Sequence, residues 1–361
     1  MVMTVPGQRA QLLARFPELA DYGRPAYRLH PRPGSPVVTD SSVGGPLLWP
    51  SEEAWPVCIE PHASALVVGT SGTATREEHE REVASRAAQV ERLEALGPLA
   101  PQSILRAARE SLARARAAVP AAVPVSSHAP APCAEPVVMV PVLQIFKDDI
   151  ADHLFAADSD LLQVLWCPQR HQPGWLPRPI VVWRRAADVV KPLESPPAAN
   201  DYYKESYLPS PCLVHPEAVT EYPPICTLHQ GDLGYRPFGL LPPELEAQVR
   251  AWSGRMPAGQ DYPSLAHAPG WKILGWEASG PDNRHLAACA CGEPGRVLLD
   301  TLRSEDLGGI WAPSGAPGFR WGDPEDWEDQ EPTRVDIARD GAMWIRTCSS
   351  SREHPVAIGA C

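Results

Sequence analysis

Residues 40–56, DSSVGGPLLWPSEEAWP, constrain the fold more than any other part of the chain. They contain two adjacent glycines, Gly44 and Gly45, and two Trp-Pro pairs. Glycine adopts positive φ angles and lets another backbone approach closely, so the pair predicts a structural turn that tolerates no larger residue. The apolar run 46–49 predicts a short buried strand, which Pro50 ends because proline has no amide to donate.

These residues also resemble a known family. The turn 41–45 reads Ser-x-x-Gly-Gly, and Trp49-Pro50 and Trp55-Pro56 follow it; further on, the run Val-Leu-Gln-Ile at 142–145 precedes Asp148. This order is similar to that of the YwqG-like family of bacterial domains of unknown function. Residues 270–276 resemble the family's Gly-Trp-x-x-Gly-Gly-Trp turn, with Leu274 in place of the first glycine of the pair. The resemblance covers roughly residues 36–350. It implies the α+β fold of that family and a role near toxin or immunity systems.

Composition and charge exclude several classes of protein. The chain has 361 residues, 44% of them apolar, which is ample for a packed core. The formal net charge of −12 has the wrong sign for a phosphate-binding surface, so we expect no nucleic-acid partner. We see no signal peptide and no apolar run long enough to span a bilayer. Nine cysteines, an odd number, then indicate reduced thiols in the cytoplasm.

The pattern along the chain predicts an α+β protein with a largely antiparallel sheet. Residues 1–35 form an N-terminal arm, in which 25–30 are expected to be an edge strand. Residues 36–230 form a first half and 231–361 a second. Two helices at about 75–118 make an αα-hairpin inserted in the first half, and a mobile Pro-rich linker, 120–136, leads back from it.

The two halves share an order of features that predicts an internal duplication. Each half has a glycine turn, an early cysteine, an apolar strand and a later strand that ends in cysteine. The later strands are 161–166 and 342–346, and a histidine follows the cysteine in both halves. We therefore expect two similar halves packed across one core.

Cysteine and histidine spacings give a metal-binding alternative. The spacings are Cys167-x3-His171 and Cys348-x5-His354, and Cys289-Ala-Cys291 resembles a zinc knuckle with one residue too few between its cysteines. Zinc is the metal that such ligands suit. A strong site would show four ligands in two paired motifs, so the interpretation we favour from the sequence is that these cysteines act as small buried hydrophobes and that the chain has no cofactor.

Other catalytic motifs are absent from the sequence. It contains no Gly-x-Ser-x-Gly elbow, no Walker A loop and no Gly-x-Gly-x-x-Gly fingerprint. We therefore expect a non-catalytic module that binds a protein, a peptide or a small apolar ligand. The alternative is an enzyme or zinc protein that uses the cysteine and histidine positions. Aromatic residues near the glycine turns and in one loop are the expected walls of the ligand site: Trp49, Trp55, Tyr202, Tyr203, Tyr207, Trp271 and Trp276.

Overall fold

The computed structural model describes residues 7–70, 76–95, 102–117, 124–150, 154–172, 174–225, 239–257, 260–276, 289–293, 295–303, 305, 311, 331–337 and 342–360. It divides into two compact units. The larger unit comprises Met1–His62 and Pro132–Cys361, and the smaller one comprises Ala63–Ala131. No described helix is both long enough and apolar enough to cross a bilayer.

The larger unit contains two six-stranded sheets. The first has the order β12-β1-β13-β14-β15-β16, and all its pairings are antiparallel. Its strands are β1 (Arg24–Arg28), β12 (Glu217–Glu221), β13 (Trp271–Leu274), β14 (Gly295–Thr301), β15 (Met343–Cys348) and β16 (Ala357–Ala360).

The second sheet has the order β10-β9-β8-β3-β11-β2 and is also antiparallel throughout. Its strands are β2 (Arg32–Pro33), β3 (Ser42–Val43), β8 (Val140–Phe146), β9 (Leu161–His171), β10 (Leu176–Arg184) and β11 (Cys212–Leu213). A separate ladder joins β4 (Val57–Cys58) to β7 (Val137–Val138). The antiparallel α+β class predicted from the sequence is confirmed.

Apolar side chains from both sheets form one central core. It includes Leu143 and Val164 from the second sheet and Ile273, Leu299 and Ile345 from the first, all fully buried. A second cluster packs around three helices, α1 (Gly7–Arg15), α4 (Pro243–Ser253) and α5 (Tyr262–Ala266). Short 3₁₀ segments complete the secondary structure at Pro17–Tyr22, Lys147–Asp149, Ala186–Asp188 and Glu205–Tyr207.

The smaller unit contains the predicted αα-hairpin, with α2 at Arg76–Ala95 and α3 at Gln102–Ala117. Val90, Leu105, Ala108 and Leu112 pack at their interface. The linker prediction for 120–136 is wrong where residues are described, because β6 (Pro124–Ala131) pairs with β5 (His62–Thr70).

The N-terminal segment is an integral part of both sheets and not an arm. Strand β1 lies between β12 and β13, so the edge-strand prediction for 25–30 is also wrong. Proline is accommodated because β13 pairs only with Ala26, Tyr27 and Arg28, which leaves Pro25 beyond the end of that ladder. The next segment contributes β2 to the other sheet.

Residues 46–49 form no strand, contrary to the prediction, although 47–49 are buried. Two glutamine side chains replace a partner strand. Leu48 donates its amide to Gln144 Oε1 at 2.7 Å, and Gln163 Nε2 donates to the Leu48 carbonyl at 2.9 Å. Both glutamines are fully buried, and they satisfy the amide and the carbonyl of Leu48 without a ladder.

Residues 270–276 are also not a simple turn. They form β13, with Gly270 before it at φ +85° and Gly275 after it at φ +74°. Leu274, at the position where the family turn has glycine, has a φ of +62°. Each half contributes a four-stranded antiparallel meander, β3-β8-β9-β10 and β13-β14-β15-β16, while the internal duplication itself stays a prediction.

Candidate metal centres

One set of metal-ligating side chains lies where β4, β5 and β9 meet. It consists of Cys58, His62, Cys167 and His171, whose four ligand atoms all lie within 4.8 Å of one another. Cys58 ends β4, His62 begins β5, and the other two residues lie in the last part of β9. We call this set the buried cluster, because Cys58, Cys167 and His171 are buried and His62 is half-buried.

A bulge in β9 brings Cys167 and His171 together. In the ladder with β10, His171 pairs with Leu176 and Cys167 pairs with Arg178. Four steps along β9 therefore correspond to two steps along β10, and the excess residues are accommodated by the bulge. A regular strand would separate residues four apart by about 13 Å. The bulge, which contains Pro168, shortens this distance so that both side chains reach one point.

The separations in the buried cluster match a tetrahedral zinc site. With Zn–S bonds of about 2.3 Å and Zn–N bonds of about 2.0 Å, neighbouring ligand atoms lie about 3.3–3.8 Å apart. Cys167 Sγ lies 3.5 Å from His62 Nε2, and Cys58 Sγ lies 3.9 Å from His171 Nε2. The two imidazole rings pack edge to face, with centroids 4.8 Å apart, so their Nε2 atoms face the sulfurs from two directions.

The surroundings of the buried cluster favour a thiolate. A hydrogen bond from the Cys167 thiol, supplemented by bonds from the two imidazoles, lowers the pKa of Cys58. The same pairing and burial raise the pKa of Cys167. The apolar side chains of Leu47, Trp49 and Val137 pack around both cysteines. Because a thiolate is the metal-binding form, one ligand is already prepared for a cation.

A second set lies at the other sheet. It consists of Cys289, Cys291, Cys348 and His354, and its ligand atoms also lie within 4.8 Å of one another. Cys348 ends β15, and His354 lies in the segment between β15 and β16. We call this set the loop cluster.

The first two cysteines of the loop cluster are held by a tight turn. Gly292 donates its amide to the Cys289 carbonyl at 2.7 Å, and Cys289 donates to Glu293 at 2.8 Å. Gly292 has a φ of +91°, which a residue with a side chain would adopt only under strain. The turn lets cysteines separated by a single residue face the same point.

The loop cluster has the same spacing between ligand atoms. His354 Nδ1 lies 3.4 Å from Cys289 Sγ and 3.3 Å from Cys348 Sγ. The sulfurs of Cys291 and Cys348 are 3.5 Å apart. Hydrogen bonds from the hydroxyl and amide of Ser350 to Cys348 Sγ lower the pKa of that thiol to about 5, so this site too contains a sulfur that favours the thiolate.

The sequence identified six of these eight residues and missed Cys58 and His62 as ligands. A signal for them exists, since Cys58-x3-His62 has the same spacing as Cys167-x3-His171. Two paired motifs are therefore present after all. Among the described cysteines outside the clusters, Cys212 is fully buried and Cys133 contacts backbone carbonyls.

The aromatic residues that were predicted to line one ligand site lie in different parts of the structure. The rings of Trp49 and Trp55 pack 5.2 Å apart in the cluster that surrounds the two buried cysteines. Tyr207 and Trp271 belong to the central core. Trp276 is buried, and its amide donates to Glu221 at 2.7 Å.

Tyr202 and Tyr203 are the exposed members of the predicted set. Their exposed fractions are 41% and 45%, and the Tyr203 ring packs against Tyr207. None of the seven residues lines either of the two cavities that we describe below. A ligand site walled by all of them stays a prediction.

The Gly44-Gly45 turn packs against a neighbouring loop. Gly44 has a φ of +64°, and a Cβ atom built there would lie 2.5 Å from the Pro209 carbonyl oxygen. Its amide donates to Val142 at 3.1 Å. A Cβ on Gly45 would meet Pro36 at 2.6 Å, although Gly45 itself has no positive φ. Close contact, and not φ, is therefore what requires glycine at position 45.

No protein-family model matches the chain, and no curated protein matches it either. The resemblance to the YwqG-like family therefore stays a prediction that rests on the residues quoted above.

Proposed function

We propose that this chain is a zinc protein that holds two structural zinc ions, one in the buried cluster and one in the loop cluster. The observation that supports the proposal is the grouping of eight ligand atoms into two sets of four. Within each set the atoms lie within 4.8 Å of one another, although the residues come from distant parts of the sequence. Side-chain packing alone does not account for two such groupings of cysteine and histidine.

The ligand types favour zinc over other metals. Two thiolates with two imidazoles, and three thiolates with one imidazole, are ligand sets that zinc accepts in tetrahedral geometry. Magnesium and calcium prefer oxygen ligands, and no carboxylate belongs to either described set. Zinc is therefore the metal that fits both clusters.

The number of ligands favours a structural role. A catalytic zinc ion generally keeps one position open for water or substrate, whereas four protein ligands close the coordination sphere. With both spheres closed, the zinc ions stabilise the fold and perform no chemistry. This supports a non-catalytic binding protein, built on a metal-stabilised scaffold, over an enzyme that uses the cysteines.

Each zinc ion would connect segments that are far apart in sequence. In the buried cluster, Cys58 and His62 both lie more than 100 residues before Cys167. The separation between Cys58 and His171 is 113 residues. In the loop cluster, 65 residues separate Cys289 from His354. Closing such long loops restricts the unfolded chain, so binding of the metal contributes directly to folding.

The test is the zinc content of the full-length protein, purified without added metal and measured by elemental analysis. We expect two zinc ions per chain. Cys167→Ser and Cys348→Ser each remove one ligand from one cluster, so each variant should retain about one ion. The double variant should retain neither.

Cys212→Ser is the matched control. Cys212 is fully buried and belongs to neither cluster, so this variant should keep both ions. A wild-type protein without zinc would contradict the proposal. Equal zinc contents in Cys167→Ser, Cys348→Ser and Cys212→Ser would contradict it as well, because the metal would then be bound elsewhere.

A further inference from the structure

Two cavities adjoin each other beside the strands β13 and β14. The larger has a volume of about 370 Å³ and the smaller about 330 Å³. Leu274, Arg296, Val297 and Ser349 line both of them, so the two cavities are direct neighbours, and we call them together the joined cavities. Neither cavity contains a residue of the predicted aromatic site, and neither is needed for the zinc proposal.

The joined cavities are positively charged. Arg24 and Arg296 line the smaller cavity, and Arg296 and Arg352 line the larger. No acidic residue lines either of them in the part of the chain that the structure describes. This is unusual for a chain with 44 acidic and 32 basic residues, in which arginines would be expected to find carboxylates nearby.

The guanidinium groups are held in place by aromatic rings. Arg24 stacks on Trp276 at 3.5 Å from the ring centroid, and Arg352 stacks on Trp183 at 3.9 Å. Arg352 also donates to Ser159 and to the Leu154 carbonyl, and it lies 3.8 Å from the exposed Asp158. Stacking fixes these side chains before any ligand arrives, which lowers the entropic cost of binding.

Arg24 and Arg296 differ from Arg352, because neither forms an ion pair with any described residue. Both guanidinium groups line the smaller cavity, and burial, followed by the charge of Arg296, lowers the pKa of Arg24. Like charges brought together at one cavity repel each other, and an anion bound between them would offset the repulsion.

The larger cavity supplies an apolar wall. Phe155 and Trp183 line it and pack edge to face, with ring centroids 5.6 Å apart. Leu154 and Leu274 complete this side. An apolar wall next to a cationic end suits a ligand that has an apolar part and an anionic part. Each part is then desolvated against a surface of complementary chemistry.

We propose that the joined cavities bind a small organic anion, with its carboxylate or phosphate at Arg24 and Arg296 and its apolar body against Phe155 and Trp183. Arginine suits both kinds of oxyanion, since its planar fork donates two parallel hydrogen bonds. The ligand class is thus a compact anion with one apolar face. None of the four residues named here is a metal ligand, although Cys348 of the loop cluster also lines the larger cavity.

The test is calorimetric titration of the full-length protein with benzoate, phenyl phosphate, inorganic phosphate and phenol. Benzoate and phenyl phosphate separate the two oxyanions, inorganic phosphate lacks the apolar body, and phenol lacks the strong charge. We expect one of the two aromatic anions to bind, and to bind at least about ten-fold more tightly than inorganic phosphate or phenol.

Arg296→Gln should weaken this binding about ten-fold or more, because it removes a charge-assisted hydrogen bond. Arg296 is exposed on the sheet, so the variant should fold normally. Arg106→Gln is the control: it removes the same charge from an exposed position on α3 and should bind like wild type. Failure of both aromatic anions to bind, or equal affinities of Arg296→Gln and Arg106→Gln, would overturn the proposal. Zinc content does not enter this comparison, so the two proposals fail independently.

Discussion

At the scale of single residues, the Gly44 turn combines two demands on the backbone. Gly44 has a φ of +64°, and the space where a Cβ would lie is occupied by the carbonyl oxygens of Pro209 and Ser210, at 2.5 and 2.8 Å. Gly239 has nearly the same φ, +68°, but a Cβ there would meet nothing within 4 Å. The two positions therefore separate backbone strain from close packing.

We predict that Gly44→Ala lowers the free energy of unfolding by about 2–4 kcal/mol, since it adds a steric clash to the cost of a positive φ. Gly239→Ala should lower it by only about 1–2 kcal/mol. Chemical denaturation of both variants measures the difference. Equal losses would mean that the loop at Pro209 moves aside and that packing does not require glycine.

A second residue-scale feature is a buried ion pair in the first sheet. Lys272 Nζ lies 2.6 Å from Glu221 Oε1, and both side chains are almost completely buried. The same carboxylate accepts the amides of Ala268 and Trp276 at 2.7 Å each. Glu221 thus fixes the chain on both sides of β13. Lys272 is its cation and also lies 3.9 Å from the buried carboxylate of Asp300.

We predict that Lys272→Met lowers the free energy of unfolding by about 3–5 kcal/mol, because it leaves a buried carboxylate without its cation. Adding Glu221→Gln to the same chain should restore part of the loss, since the amide oxygen still accepts a backbone hydrogen bond. Thermal and chemical denaturation of the single and double variants test this. A double variant less stable than Lys272→Met would show that charge compensation is not what holds the pair.

At the scale of elements, the sequence predicted several helices and strands closely, for identifiable reasons. The two hairpin helices, at 76–95 and 102–117, lie within the predicted range of about 75–118. The predicted strand 161–166 is a mostly apolar run, and it forms the first part of β9. The local sequence pattern is therefore sufficient to predict these elements, because local interactions determine their structure.

The predictions that were wrong concern residues whose conformation depends on side chains distant in the sequence. Residues 46–49 have the apolar pattern of a strand, but Gln144 and Gln163 satisfy the backbone of Leu48 in place of a ladder. The bulge in β9 is invisible in the sequence because it depends on the register against β10. The buried cluster could therefore be suspected from the repeated Cys-x3-His spacing, but its geometry required the structure.

The insertion gives the element-scale prediction. Ala63–Ala131 form a unit with its own strand pair and its own apolar interface between helices. We predict that replacing these residues by a short Gly/Ser linker leaves a protein that unfolds cooperatively and keeps two zinc ions, because all eight ligands remain.

A deletion longer by one residue is the matched control. Removing His62 together with Ala63–Ala131 takes away one ligand of the buried cluster, so this variant should keep about one zinc ion. Loss of cooperative unfolding in the shorter deletion would show instead that the insertion is part of the core.

At the scale of the whole larger unit, two short segments of the chain each contribute a strand to both sheets. The N-terminal residues supply β1 to one sheet and β2 to the other, and β11 and β12 are divided between the sheets in the same way. Composition and apolar runs predicted the antiparallel α+β class. They predicted an edge strand at 25–30, but they did not predict that β1 lies inside its sheet or that β2 joins the other sheet, because these short strands gain their partners from distant residues.

In the larger unit, each metal cluster includes the end of one strand of a meander. The buried cluster includes the end of β9, the third strand of its meander, and the loop cluster includes the end of β15, the third strand of the other. This correspondence agrees with the cysteine and histidine order that led us to predict a duplication. It also explains why each zinc ion would join the end of a core strand to a segment outside the sheet.

X-ray absorption at the zinc edge, on the wild-type protein as purified, tests the central claim most directly. The account predicts two zinc ions that share five sulfur and three imidazole nitrogen ligands, with no bound water. The spectrum should then be dominated by sulfur at about 2.3 Å, with a smaller nitrogen shell at about 2.0 Å. A zinc environment of oxygen and nitrogen alone, or a protein that contains no zinc, would contradict it.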